Sequence, residues 1–138
     1  MKELFTCTSC REEKPKEEFA NNASKPRGIQ VYCKACNKLH QRDNYYRRKY
    51  GHKFDYFTNM LSEQGNACKI CDEQIEFADK GRYTKIGNDA VVDHCHGTGA
   101  IRGILCGLCN TGLGAFKDKS SNFQSAINYL QVSETCKD

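Results

Sequence analysis

The chain has 138 residues and a mass of 15.7 kDa; 38% of it is hydrophobic and 28% charged, with ten cysteines, no tryptophan and a formal charge of +4. No run approaches the roughly 18 apolar residues of a membrane-spanning helix, so a small soluble protein is expected, and so little apolar material leaves a marginal core at this size. No charged segment leads into an apolar one near Met1, so a cytoplasmic location is expected, where cysteine pairs favour metal over disulfides.

Eight cysteines fall into four Cys-x-x-Cys pairs: Cys7/Cys10, Cys33/Cys36, Cys68/Cys71 and Cys106/Cys109. Taken in order they predict two tetrahedral four-cysteine sites, each for a structural Zn2+, with internal connections of 22 and 34 residues. A disulfide framework or a redox pair is the alternative. Cys95 and Cys136 are left over. Each site would hold four thiolates on one Zn2+, so two of them bring the formal charge to about zero.

From the N-terminus, residues 5–36 predict a zinc ribbon. Two knuckles flank the turn-rich stretch Asn21 to Gly28, and a short strand Ile29 to Tyr32 runs into the second knuckle, with Phe5, Phe19, Ile29 and Val31 as apolar filling. After Cys36 a polar helix is expected to run to Tyr50, carrying Lys38, Arg42, Arg47, Arg48 and Lys49 between Tyr45, Tyr46 and Tyr50, and ending at Gly51. Charge concentrates here: residues 25–53 hold nine basic side chains against Asp43 alone, a footprint suited to phosphate backbones, although a solvated helix face would look the same. His40 and His52 are expected to be exposed.

A second helix fits Phe54 to Gln64, with Phe54, Phe57, Met60 and Leu61 on one stripe. The segment from Cys71 to Val91 is expected to be loop with one short strand, closing on the turn signal Gly87-Asn88-Asp89. A hairpin follows, strand Ala90 to His96 and strand Ala100 to Leu105 about the turn Gly97-Thr98-Gly99. Cys109 opens a helix to Lys117, and a last helix from Ser121 to Val132 turns Phe123, Ile127 and Leu130 inward.

The hairpin carries the chemistry. Hydrolysing a phosphodiester requires a group to deprotonate water, charge to neutralise the phosphoryl oxygens, and stabilisation of the leaving 3′-oxygen. A histidine such as His94 suits the first task. A hard cation on oxygen ligands such as Asp93 and the Asn110 side chain suits the others. Strand alternation sends residues 94 and 96 to one face and 93 to the other, so convergence needs a strand end or a bulge.

The run Asp93-His94-x-His96, the Thr98-Gly99 turn, Arg102-Gly103-x-Leu105-Cys106 and Cys109-Asn110-x-x-Leu113-Gly114 resembles the phage recombination endonuclease VII branch of the His-Asn-His (ββα-metal) nucleases. The similarity extends from Tyr50-Gly51 through Gln64-Gly65 and Cys68-Lys69-Ile70-Cys71 to the helix ending at Leu130. The resemblance implies that Asp93 and Asn110 bind a catalytic Mg2+ (or Mn2+), that His94 is the general base and that His96 contacts the scissile phosphate. Two positions depart from the pattern: Cys95, where the family often has a polar residue, and Leu113, where the junction-resolving prototype has an acidic one. Residues 1–50 resemble a zinc-ribbon module found ahead of such nucleases, through Glu12-Glu13-Lys14-Pro15, Phe19 and Gly28-Ile29-Gln30.

The expected fold is thus a small zinc-stabilised α+β protein: a four-cysteine ribbon over 1–36, a basic helix and linker helix over 37–66, and a ββα-metal nuclease domain over 67–138 with the second zinc site and C-terminal helices. The expected function is Mg2+-dependent DNA cleavage to 5′-phosphate and 3′-hydroxyl ends, by a homodimer in a bacterial or phage-infected cell, with Arg42, Arg47, Arg48, Lys49 and Arg102 on DNA. The alternatives are a non-catalytic zinc DNA-binding regulator and a third zinc site on Asp93, His94, Cys95 and His96.

Overall fold

The computed structural model describes residues 3–78 and 89–132, and the chain divides into two compact units, Met1–Tyr56 and Phe57–Asp138. The expected turn at Gly87-Asn88 and the leftover Cys136 lie outside the described residues. Among those residues there are three two-stranded antiparallel sheets, and no helix is long and apolar enough to cross a membrane.

The first unit opens with a hairpin absent from the sequence expectation, β1 (Leu4–Thr6) paired with β2 (Glu13–Pro15), around the Cys7/Cys10 knuckle. A single 3-10 turn, Lys16–Glu18, leads to β3 (Phe19–Asn21), which pairs with β4 (Ile29–Cys33). Phe19, Ile29 and three zinc-site cysteines form the small core, with Phe5 and Tyr32 packed against it. Val31, expected inside, is 42% exposed although alternation would place it on the face of Ile29 and Cys33; the β3–β4 pairing slips between Phe19/Cys33 and Asn21/Ile29, so the segment around Val31 leaves the regular ladder.

Helix α1 (Lys34–Tyr50) begins directly at Cys33 and buries only Cys36, as its polar composition requires. Gly51 ends it in the left-handed conformation at φ 80°, its N–H bonded to the Arg47 carbonyl at 2.9 Å, and the basic last turn complements the helix dipole. His40 and His52 have aromatic partners: His40 stacks on Tyr32 at 4.3 Å and bonds Ser9, and His52 stacks on Tyr56 at 4.1 Å.

Helix α2 (Phe54–Glu63) buries Phe54, Phe57 and Leu61 of the expected stripe, with Met60 half-buried. In the second unit β5 (Ala90–His94) pairs with β6 (Ile101–Cys106), and α3 (Gly107–Ala115) follows β6 without a loop and packs on both strands. This hairpin and helix make a ββα frame. The Gln64 side chain bonds the edge of β6 as a strand would, accepting from Ile104 N–H at 2.9 Å and donating to its carbonyl at 2.9 Å. Helix α4 (Ser120–Val132) is held through Phe123 on Phe116 at 4.6 Å. Ile127 and Leu130 are 47% and 64% exposed, contrary to expectation; periodicity finds an apolar stripe but not whether a partner covers it.

Candidate active site and zinc centres

Each unit gathers four thiol sulfurs within 4.8 Å of one another, Cys7, Cys10, Cys33 and Cys36 in the first and Cys68, Cys71, Cys106 and Cys109 in the second. Four sulfurs at about 2.3 Å from a tetrahedral zinc lie about 3.8 Å apart, and the Cys71 and Cys106 sulfurs are separated by 3.8 Å. Both sites therefore fit structural zinc. At Cys7, burial pushes the thiol up but is outweighed by N–H groups of Cys33, Cys10 and Ser9, which bring it down to about 6. Cys68 repeats the arrangement with N–H groups of Cys106, Cys71 and Ile70, ending at about 7. Such thiols ionise readily, as metal binding requires. Burial and the neighbouring thiols push Cys109 the other way, so its proton is held more tightly.

The second zinc site fixes the end of β6 and the start of α3, because Cys106 terminates the strand and caps the helix by accepting from Cys109 N–H at 3.4 Å. Asn110 consequently sits in the first turn of α3. On the hairpin the pairing is regular from Ala90/Cys106 to Asp93/Gly103 and then slips: His94 pairs with Ile101, leaving Arg102 as an extra residue. Convergence of Asp93 and His94 needs a strand end or a bulge, and both occur here, since His94 is also the last residue of β5. Gly103 makes the bulge possible, with φ 155° and no room for a Cβ, which would lie 2.9 Å from Lys69 Cδ and 3.2 Å from Gln64 Oε1.

The bulge aims Arg102 at Asp93. Asp93 is 7% exposed, and its oxygens accept from Arg102 Nε at 2.7 Å and Nη2 at 2.8 Å. The same Nη2 donates to Asp118 at 3.2 Å, and His96 Nδ1 donates to the other Asp118 oxygen at 2.7 Å. Asp93 above all, with Asp118, raises the Arg102 guanidinium further above its ordinary pKa. His96 chiefly, with Arg102, holds the Asp118 carboxyl below the usual range against the opposing effect of burial. The His94 and His96 rings lie 5.2 Å apart in edge-to-face orientation.

The hairpin end therefore brings together Asp93, His94, His96 and Arg102, while Asn110 stands on the helix packed against both strands. A carboxylate has about four lone-pair directions. Arg102 occupies two at Asp93, so oxygen remains for a cation. Among the described residues Asp93, His94, Cys95 and His96 do not form a third thiol and imidazole cluster. Asp118 escaped sequence reasoning, since it lies after a helix end with no spacing that ties it to the hairpin.

The basic residues of α1 are placed unequally. Arg47, Arg48 and Lys49 are exposed, Lys49 close over the Tyr45 and Tyr50 rings, whereas the Arg42 guanidinium lies 3.8 Å from the Phe54 ring centre and is half-buried.

Residues 43–132 match the family model described as recombination endonuclease VII. The chain belongs to the recombination endonuclease VII family. The family match takes in the second zinc site, the bulged hairpin and α3, but not the first zinc site. Among relatives, the Gene 59 protein of Mycobacterium phage L5 is 35% identical over 82 residues, covering 59% of this chain and 44% of that protein. The Gene 59 protein of Mycobacterium phage D29 is 34% identical over 83 residues, 59% of this chain and 45% of that one. This endonuclease VII family member thus spans less than half the length of the curated relatives it matches. A crystal structure of the ββα-Me type II restriction endonuclease Hpy99I aligns over 95% of this chain and 66% of that one, at 26% identity and a TM-score of 0.40.

Proposed function

We propose that this family member is a metal-dependent DNA endonuclease whose reaction is carried by the bulged β5–β6 hairpin and the first turn of α3. The observation that carries the reading is the slip at Asp93/His94, which falls on the very residues that hydrolysis needs and inside the region matching the family. His94 accepts the proton of the attacking water. Asp93 and the Asn110 side-chain carbonyl hold Mg2+ (or Mn2+), a hard cation suited to oxygen donors. When bound, that cation supplies positive charge to the phosphoryl oxygens and the leaving 3′-oxygen. His96 contacts the scissile phosphate, and cleavage leaves 5′-phosphate and 3′-hydroxyl ends.

The ribbon over 1–36 and the basic helix and linker over 37–66 serve DNA binding, with the exposed Arg47, Arg48 and Lys49 on phosphates and Arg42 near them. Arg102 reaches phosphate through Nη1, which neither carboxylate pair engages. The nuclease domain over 67–138 cuts, and a homodimer places two such sites on opposite strands. The test is His94→Ala on supercoiled plasmid with Mg2+. Cleavage falls by about 10²- to 10⁴-fold, the contribution of a general base, while DNA binding and two zinc ions per chain persist. Wild-type rates in His94→Ala overturn the assignment.

A further inference from the structure

Asp118 stands outside every residue set the nuclease reading uses, yet its carboxylate touches two members of the hairpin site. It accepts from His96 Nδ1 at 2.7 Å on one oxygen and from Arg102 Nη2 at 3.2 Å on the other, and Arg102 in turn grips Asp93. The backbone beneath it is unusual. Lys117 and Asp118 are consecutive non-glycine residues in the left-handed region, at φ 59° and 52°. Such strain persists only where the surroundings over-determine it. Here Asp118 N–H bonds the Leu113 carbonyl at 3.0 Å, Lys117 N–H bonds that of Gly114 at 2.9 Å, and Asn122 Nδ2 bonds that of Phe116 at 3.0 Å. The helix end holds the main chain and the hairpin holds the carboxylate.

We propose that Asp118 is a positioning residue for DNA cleavage: it fixes the His96 ring through Nδ1, leaving Nε2 as the edge offered to phosphate, and keeps the Arg102 guanidinium against Asp93. The proposal rests on the nuclease reading above. An ionised carboxylate can only accept, so it keeps a proton on Nδ1 and stops the ring from flipping; phosphate oxygens likewise only accept, so Nε2 donates to them when the ring carries both protons. The strained loop has a purpose here, since relaxing it would withdraw an acceptor that reaches both side chains.

Two variants of the full chain separate carboxylate from backbone. Asp118→Gly removes the carboxylate while suiting φ 52°, so the loop keeps its path; Asp118→Asn keeps an acceptor for His96 but loses the charge. Cleavage of supercoiled plasmid with Mg2+ and the His96 tautomer by ¹⁵N NMR are read together, with zinc content as the check on folding. Asp118→Gly is expected to lose about 10- to 100-fold in kcat, the usual effect of removing a residue that orients a functional histidine, with KM changing far less. Its His96 moves toward the Nε2–H form. Asp118→Asn restores the native tautomer and part of the rate. The proposal fails if Asp118→Gly cleaves at the wild-type rate, or if its His96 keeps the native tautomer whatever the rate. Should the wild type not cleave, or His94→Ala cleave fully, the nuclease reading fails instead; the tautomer comparison still decides whether Asp118 orients His96.

Discussion

The two units carry the same zinc frame and differ in what is mounted on it. In the first, Cys7 N–H bonds the Glu12 carbonyl at 2.9 Å and Arg11 N–H the Cys7 carbonyl at 2.9 Å; in the second, Cys68 N–H bonds Glu73 at 2.8 Å and Asp72 N–H bonds Cys68 at 3.0 Å. Arg11 and Asp72 both turn left-handed, at φ 65° and 60°. Each frame then runs through a strand into a cysteine that starts a helix, Cys33 before α1 and Cys106 before α3, and an asparagine follows the fourth cysteine in both, Asn37 and Asn110. The strand opposite is where they part. β5 ends in Asp93 and His94, whereas residues 1–36 contain neither aspartate nor histidine. Zinc thus builds a strand-to-helix corner in both units. The second corner is the one that follows a strand pair ending in an Asp-His dipeptide.

The largest effect that tests this division comes from breaking one frame at a time. Cys68→Ser is expected to abolish plasmid cleavage outright, because the second site fixes both β6 and the turn of α3 bearing Asn110. Cys7→Ser is expected to lower zinc from two ions per chain to one and to weaken DNA binding, while retaining cleavage at high DNA concentration. Structural zinc supplies folding free energy of about 10 kcal/mol or more in small domains, so each loss should unfold its own unit. Metal analysis beside a cleavage titration reads both. Equal loss of activity in the two variants would mean that the first unit is part of the active site rather than a binding module.

A smaller effect distinguishes the paired asparagines. Asn110→Ala removes a proposed cation ligand and should reduce cleavage by about 10- to 100-fold, with partial recovery at raised Mg2+. Asn37→Ala, at the matching place in a frame without Asp93 or His94, should leave the rate unchanged. Matched losses would show that the asparagine serves the helix start in both units.

The zinc frames were legible because a ligand set is written in side-chain type and spacing, and both four-cysteine clusters formed as Cys7 to Cys36 and Cys68 to Cys109 foretold. The β5–β6 hairpin was legible from the Gly97-Thr98-Gly99 turn between two short strands, and the ββα order came with the family resemblance. The bulge was not legible, since it depends on Gly103 adopting φ 155° beside Gln64, a tertiary circumstance. Asp118 was invisible because its partners lie 22 and 16 residues away in sequence. The outward face of α4 was misread, since an apolar stripe at helical spacing names no partner.

The smallest effect is on stability, and it asks what Gly103 contributes to the second frame's slip, since β3 and β4 of the first frame also shift register between Phe19/Cys33 and Asn21/Ile29. Gly103 stands three residues before Cys106; Gln30 stands three before Cys33. An alanine Cβ at 103 meets Lys69 Cδ at 2.9 Å, which the flexible lysine can yield, and Gln64 Oε1 at 3.2 Å, which is committed to Ile104 N–H. With the backbone strain added, Gly103→Ala should cost about 1–3 kcal/mol, or a fall in Tm of about 2–12 °C at this chain length and fixed zinc. Adding Lys69→Ala should return only the part due to the lysine contact. Gln30→Ala should stay within about 0.5 kcal/mol, as at ordinary surface strand positions. A Gly103→Ala chain as stable as wild type would mean that β6 can reach the Asp93/His94 slip without its glycine, and the difference between the frames would then rest on Asp93 and His94 alone.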